Sequence, residues 1–188
     1  MTTEQRLRRL EDRAELQDLA VRYFIASDDD DAAGLGACFV PDATFSVSGA
    51  VCGQSRAAIV SFIAGERLKM GLTVHTPNYT LFEFHDDRSA SGVVGAHMEL
   101  VLSGQMLFGA VRYHDTYARD EGRWCVRTRD MRVIHIAPWE DVGRSMMSDR
   151  PVRWPGLPAL PTDFPRKPSS TANNTASTTA SKNPSNNQ

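Results

Sequence analysis

The chain has 188 residues, of which 41% are hydrophobic and 23% charged, with a formal net charge of −2. That length suits one domain and a tail, and that apolar fraction is enough for a sizeable core. The near-neutral balance, with no stripe of Lys and Arg, argues against a nucleic-acid partner, and no apolar run approaches the roughly 20 residues needed to cross a bilayer.

Residues 4–27 predict a helix, because Leu7, Leu10, Leu16, Leu19, Ala20, Tyr23 and Phe24 recur at spacings of three and four. The acidic run 28–31 ends it and opens a short helix over 32–39, where carboxylates suit the positive end of the helix dipole. Pro41-Asp42 predicts a turn, and 43–48 a strand in which Phe45 and Val47 alternate with Thr44 and Ser46. Ser55 is a candidate cap for a third helix carrying the apolar stripe Ile59, Phe62, Ile63 and Leu68. The pattern then turns to β, with strands over about 73–84, 90–103, 105–120 and 123–137, separated by turns at 85–89, Ser103-Gly104 and 120–122. Long strands joined by short turns pair antiparallel. Helices followed by a meander imply an α+β domain: a curved, mixed or antiparallel sheet with about three helices on its concave side and a hollow between them. One domain is expected over 1–145, then a Pro-rich extension over 146–167 and a disordered tail over 168–188 of Ser, Thr, Asn and Ala.

The three cysteines, Cys38, Cys52 and Cys125, form no CxxC pair, so buried free thiols in a reducing cytosol are expected. The charged N-terminus does not read as a signal peptide, and a cytoplasmic protein is expected. No metal motif, dinucleotide fingerprint or phosphate loop appears, so no metal and no cofactor are expected. Asp28 closes the first helix, where it is either a solvated cap or a carboxylate over the open mouth of the sheet. His75 begins a strand, and an imidazole there is either hydrogen-bonded structure or a group that takes and returns a proton near neutral pH. On the next strand, alternation puts Gly95, His97, Glu99 and Val101 on one face and Ala96, Met98, Leu100 and Leu102 on the other. His85 and His114 carry less information, and His135 in the last strand could reach the hollow.

Leu16-Gln17-Asp18-Leu19, Tyr23-Phe24, Asp28, Gly53, Ala58-Ile59, His75-Thr76-Pro77, Val94-Gly95-Ala96-His97 and Gly122-Arg123-Trp124 stand in an order that resembles the SnoaL-like branch of the NTF2-like superfamily, over about residues 4–140. That family includes scytalone dehydratase, the lindane dehydrochlorinase and the bile acid 7α-dehydratases. The resemblance implies a cone-shaped fold in which Asp28 supports a catalytic His75. Tyr23 matches a tyrosine five residues before the Asp in the bile acid enzymes, and His97 matches the second histidine of scytalone dehydratase. Tyr113 falls where that enzyme carries an asparagine, which argues against the same substrate. The implied activity is a cofactor-independent elimination on an apolar, ring-containing molecule such as a steroid, polyketide or aromatic catabolite. His97 or Tyr23 would polarise a substrate oxygen. Phe24, Phe62, Met98, Phe108, Tyr113, His135 and Trp139 would line the pocket. Alternatives are an isomerase or cyclase using the same proton shuttle, or a non-catalytic binding module like the dioxygenase β subunits. An assembly of two or three copies is expected, with neither nucleic acid nor membrane as partner.

Overall fold

A computed structural model describes residues 1–165. Helix α1 spans Thr3–Asp28, α2 spans Ala32–Ala37 and α3 spans Arg56–Arg67. Strands β1 (Phe39–Val47) and β2 (Ala50–Gly53) lie between α2 and α3 in sequence, and β3 (Met70–Phe84), β4 (Ser89–Leu102), β5 (Gln105–Asp120) and β6 (Arg123–Pro138) follow α3. A 3₁₀ turn at Trp139–Asp141 leads into the short α4, Val142–Met146. No helix among these is long and apolar enough to cross a membrane.

The helices begin where side chains satisfy their first amides. Thr2 and Gln5 form a reciprocal capping box on α1, and the Ser55 hydroxyl accepts from the Ala58 amide at 3.1 Å. The hairpin turns at Ser48-Gly49, Ser103-Gly104 and Glu121-Gly122 each place two successive residues at positive φ, the twist that right-handed antiparallel strands require.

The strands form one six-stranded mixed sheet in the order β2-β1-β6-β5-β4-β3. β1 runs parallel to β6, and every other pair is antiparallel. The helices cover one face, α1 lying on β3 and β6 and α3 on β1. Leu16, Leu19, Tyr23 and Phe24 of α1 are buried there against Val94, Ala96, Met98 and Leu100 of β4 and Leu107, Val111 and Tyr113 of β5. Buried Asp12 pins the first half of α1, accepting from the Trp124 indole at 3.1 Å and pairing with Arg119.

Four sequence expectations change. Pro41-Asp42 lies inside β1, where the pairing with β6 breaks register between Phe39 and Thr44 and so spares the missing proline N–H. The second helix stops at Ala37 because β1 takes Phe39. Leu7, Leu10 and Leu68, expected on buried stripes, are exposed. Cys38 and Cys125 are buried, but Cys52 is only partly so. Burial pushes the Cys38 thiol up to about 11, which keeps it protonated and inert.

The Pro-rich extension lacks regular structure but is docked. β6 is paired with β1 only as far as Met131. Beyond that point, Ile136 and Val133 exchange backbone hydrogen bonds with Pro151, Arg153 and Asp163, and Val152 is buried. The Asp163 carboxylate accepts from the Val133 amide at 2.8 Å and the Ser48 hydroxyl at 2.6 Å. The expected tail, 168–188, lies outside the described residues. Asp163→Ala orphans the Val133 amide and should cost about 1–3 kcal/mol, read as a lower urea midpoint at unchanged slope.

Candidate active site

The last turn of α1 delivers Asp28 to the outer margin of the sheet, beside β3. Its carboxylate accepts three hydrogen bonds from that strand. The His75 amide donates to Oδ2 at 2.8 Å, the Thr73 hydroxyl to Oδ1 at 2.7 Å, and the His75 Nδ1 lies 2.7 Å from Oδ1. The His75 amide is thus one of the ladder groups that β3, as a marginal strand, cannot pair with a neighbour; the helix end satisfies it instead. The His75 and Asp28 side chains are 11% and 17% exposed.

Burial pushes the Asp28 carboxyl up, but the His75 ring bond, its charge, its amide and the Thr73 hydroxyl together outweigh that and hold the group below its ordinary value. Asp28 is therefore a carboxylate at neutral pH that can only accept, so the shared proton sits on Nδ1 of His75, and in the neutral form of the ring Nε2 keeps the lone pair. That Nε2 has no hydrogen-bond partner among the described residues and is not sealed from solvent. Phe24 holds the ring in plane from behind, stacked at 5.2 Å and 5°. Met98 stands opposite His75 in the β3–β4 register on the same, helix-covered face.

Phe24 also meets Tyr113 at 5.6 Å, which leads into a buried charged cluster that the sequence reading missed. Arg129 and Asp115 face each other across β5 and β6, with two hydrogen bonds of 3.0 and 2.7 Å and no side-chain exposure. The guanidinium lies 4.1 Å from the Tyr23 ring centre and 4.7 Å from that of Tyr113, and Tyr117 donates to Asp115 at 2.8 Å. Burial works against the Arg129 charge, but the Asp115 charge and hydrogen bonds outweigh it and hold the group protonated. Burial, above all, raises the Tyr23 and Tyr113 hydroxyls. Arg129 Nη1 is a buried donor without an acceptor in the described chain. One signal could have found the pair: Asp115 sits at an inward position between Tyr113 and Tyr117, where an acidic residue needs a partner.

Six expected site residues, His97, His135, Phe108, Trp139, Phe62 and Tyr23, are not at the dyad. Thr76, one residue past His75, pairs with His97, which pairs with Ala110 and thence His135. His97, His135 and Phe108 therefore lie on the face away from the helices. Phe108 contacts His97 at 5.4 Å, His135 at 5.9 Å and Trp139 at 5.7 Å. Burial, then the His97 charge, lowers the His135 value. Phe62 packs on Phe45 at 6.0 Å, on the α3–β1 side. Tyr23 sits on the dyad's side of the sheet, but its ring is packed among Phe24, Phe39 and Tyr113 over Arg129. A cavity of about 330 Å³ opens between the end of α1 and α3; Ala26, Asp30, Ile63 and Arg67 help line it, and His75 does not. Among the described residues no group of three or more His, Cys, Asp or Glu could hold a metal ion.

A family profile of the SnoaL-like domain matches residues 8–130. No curated protein matches the chain in sequence. Among solved structures, the fold is similar to a candidate scytalone dehydratase from Novosphingobium aromaticivorans, at 17% identity and a TM-score of 0.65, covering 70% of this chain and 90% of that one. It is similar to a hexachlorocyclohexane dehydrochlorinase, LinA type 3, from Novosphingobium barchaimii, at 22% identity and 0.65, covering 70% and 92%. A type 2 LinA dehydrochlorinase gives 21% identity and 0.65, over 80% and 99%.

Two stability measurements test this geometry. Because the folded Asp28 value is lowered, its contribution is whole above the unfolded carboxyl value near about 3.9 and is lost as pH falls through the folded one. Urea unfolding from pH 7 to about 3 should fall less steeply for Asp28→Asn than for the parent. Arg129→Met leaves Asp115 buried and unpaired and should cost about 3–5 kcal/mol, whereas Arg129→Met with Asp115→Leu should cost clearly less.

Proposed function

The chain belongs to the SnoaL-like family, and from that premise we propose that it is a cofactor-independent lyase in which His75 and Asp28 move a proton. The observation that carries this reading is the 2.7 Å contact between Nδ1 and Oδ1 with Nε2 left unpartnered. An imidazole whose Nδ1 proton is held by a carboxylate presents a basic Nε2, and the same carboxylate stabilises the imidazolium once the proton has been taken. The base would remove a proton from carbon next to an electron-withdrawing group. Loss of hydroxide or halide from the neighbouring carbon, as the pair of electrons forms the double bond, completes a dehydration or dehydrohalogenation.

The dehydratase and dehydrochlorinase descriptions of the similar structures support the reaction class. The substrate class follows from the dyad's neighbours. Phe24, Met98 and Tyr113 favour an apolar, ring-containing molecule over a charged one. His97 is on the opposite face, so the task of polarising an oxygen or halide passes to a donor on the helix-covered face.

With a halogenated or hydroxylated ring compound that the protein turns over, His75→Gln should lower kcat by about 10²–10⁴-fold with the melting temperature unchanged. Turnover by this variant at the parent's rate refutes the assignment. Product mass separates the two enzyme readings: elimination removes water or hydrogen halide, and isomerisation leaves the mass unchanged.

A further inference from the structure

With His97 on the other face, elimination still needs a donor for the atom that leaves, and the donors around the dyad are committed one by one. The Thr73 hydroxyl gives its proton to Asp28 at 2.7 Å. Arg67, the last residue of α3, directs Nε and Nη2 to the Asp30 carboxylate at 2.6 and 3.2 Å and Nη1 to the Thr73 oxygen at 2.8 Å. Tyr117 donates to Asp115 at 2.8 Å, and Arg129 directs Nε and Nη2 to the same carboxylate. Arg129 Nη1 lacks an acceptor among the described residues, but it is sealed from any entering molecule.

Tyr113 differs from all of these. It stands on β5 between Val94 of β4 and Met131 of β6, on the helix-covered face. Its ring meets Phe24 at 5.6 Å, and His75 stacks on that same Phe24 at 5.2 Å. The residue is 1% exposed, yet its hydroxyl is neither sealed nor hydrogen-bonded among the described residues. A buried hydroxyl requires a partner, and this one opens on space from which a partner can come. Burial above all raises its value, then the Tyr23 hydroxyl; the Arg129 charge pulls it back, and the Asp115 and Asp28 charges raise it further. Tyr113 therefore keeps its proton at neutral pH as a donor, within reach of the dyad's charge. Burial also raises Tyr23, but there the Arg129 charge and hydrogen bond oppose it, so that hydroxyl is engaged by the guanidinium.

We propose that the Tyr113 hydroxyl is the catalytic donor that holds the departing atom of the substrate. This deepens the lyase reading above and rests on it. His75 Nε2 takes a proton from carbon, the C–H electron pair becomes the new double bond, and the bond to oxygen or halogen breaks. The departing atom keeps that bond's electron pair and accepts the Tyr113 hydrogen bond as its negative charge grows. A departing hydroxide takes the proton back from the His75 imidazolium and leaves as water, which restores the neutral ring. A halide leaves as the ion, and the imidazolium gives its proton to solvent. Tyr113 ends each cycle unchanged. Hydroxide is much the poorer leaving group, so its departure depends on the donor more than that of chloride.

The test uses the full-length protein and two readouts. The first needs no turnover: the carbonyl stretch of bound cyclohexenone, a ring ketone with a single acceptor atom. It should fall to lower frequency in the parent and in Tyr23→Phe, and return toward that of an unbonded ketone in Tyr113→Phe. Because Tyr113→Phe removes no internal hydrogen bond, the melting temperature should hold. The second readout is elimination from two ring substrates that differ only in carrying hydroxyl or chloride as the leaving group. Tyr113→Phe should lower kcat about 10²–10³-fold for the hydroxyl compound and less than about tenfold for the chloride. A stretch that Tyr113→Phe leaves unchanged, or that Tyr23→Phe abolishes instead, would overturn the proposal, as would equal losses for the two leaving groups. Failure of the lyase reading would appear separately, as a fully active His75→Gln with the Tyr113-dependent shift intact.

Discussion

The Asp28 carboxylate is the joint on which the arrangement depends. A partly buried carboxylate is tolerated only when its oxygens are fully hydrogen-bonded, and here every donor comes from β3. The end of the helix is thereby fixed to the margin of the sheet at one register. The packing beneath it enforces the same register, because Phe24, one turn earlier on α1, lies flat against the ring that Asp28 holds. Chemistry and packing make the same demand on the helix, so the imidazole has little freedom to leave its orientation.

The charged interior of the domain is organised by a second requirement. Arg129 and Asp115 are wholly enclosed, and the face of Arg129 is covered by Tyr23 and Tyr113 rather than by water. Aromatic rings are suitable neighbours for a desolvated guanidinium because their faces carry negative electrostatic potential and still pack as apolar surface. This cluster and the dyad share Tyr113 and Phe24 as a common wall, so the helix-covered face holds two separately balanced charges joined by aromatic packing.

The elements legible in the sequence were those with a long period. Twenty-six residues of α1 and the four long strands repeat their pattern often enough to dominate, whereas β2 at four residues and α4 at five do not. Asp28 and His75 were found through family resemblance; no pattern in the residues required them to meet across forty-seven positions. His97 shows the limit of such matching. Its strand was correctly read into two faces, but which face the helices cover depends on a pairing register that strand alternation within one strand does not contain. Arg67 and Arg129 were passed over for a different reason. An arginine at a helix end or in a polar strand reads as a solvated charge, and only the fold brings the carboxylates that bury it.

The break in pairing between Pro77 and Tyr79 has a further meaning. β3 is a fifteen-residue strand with no neighbour on its outer side among the described residues, and Leu72, Val74, Tyr79 and Leu81 are exposed along it. Such a strand is a template for another chain to add to, which leads to aggregation. Pro77 offers no N–H, the irregularity beside it interrupts the straight run of donors and acceptors, and Asp28 already occupies the His75 amide. The features that place the imidazole thus also blunt the strand's capacity to recruit a stranger.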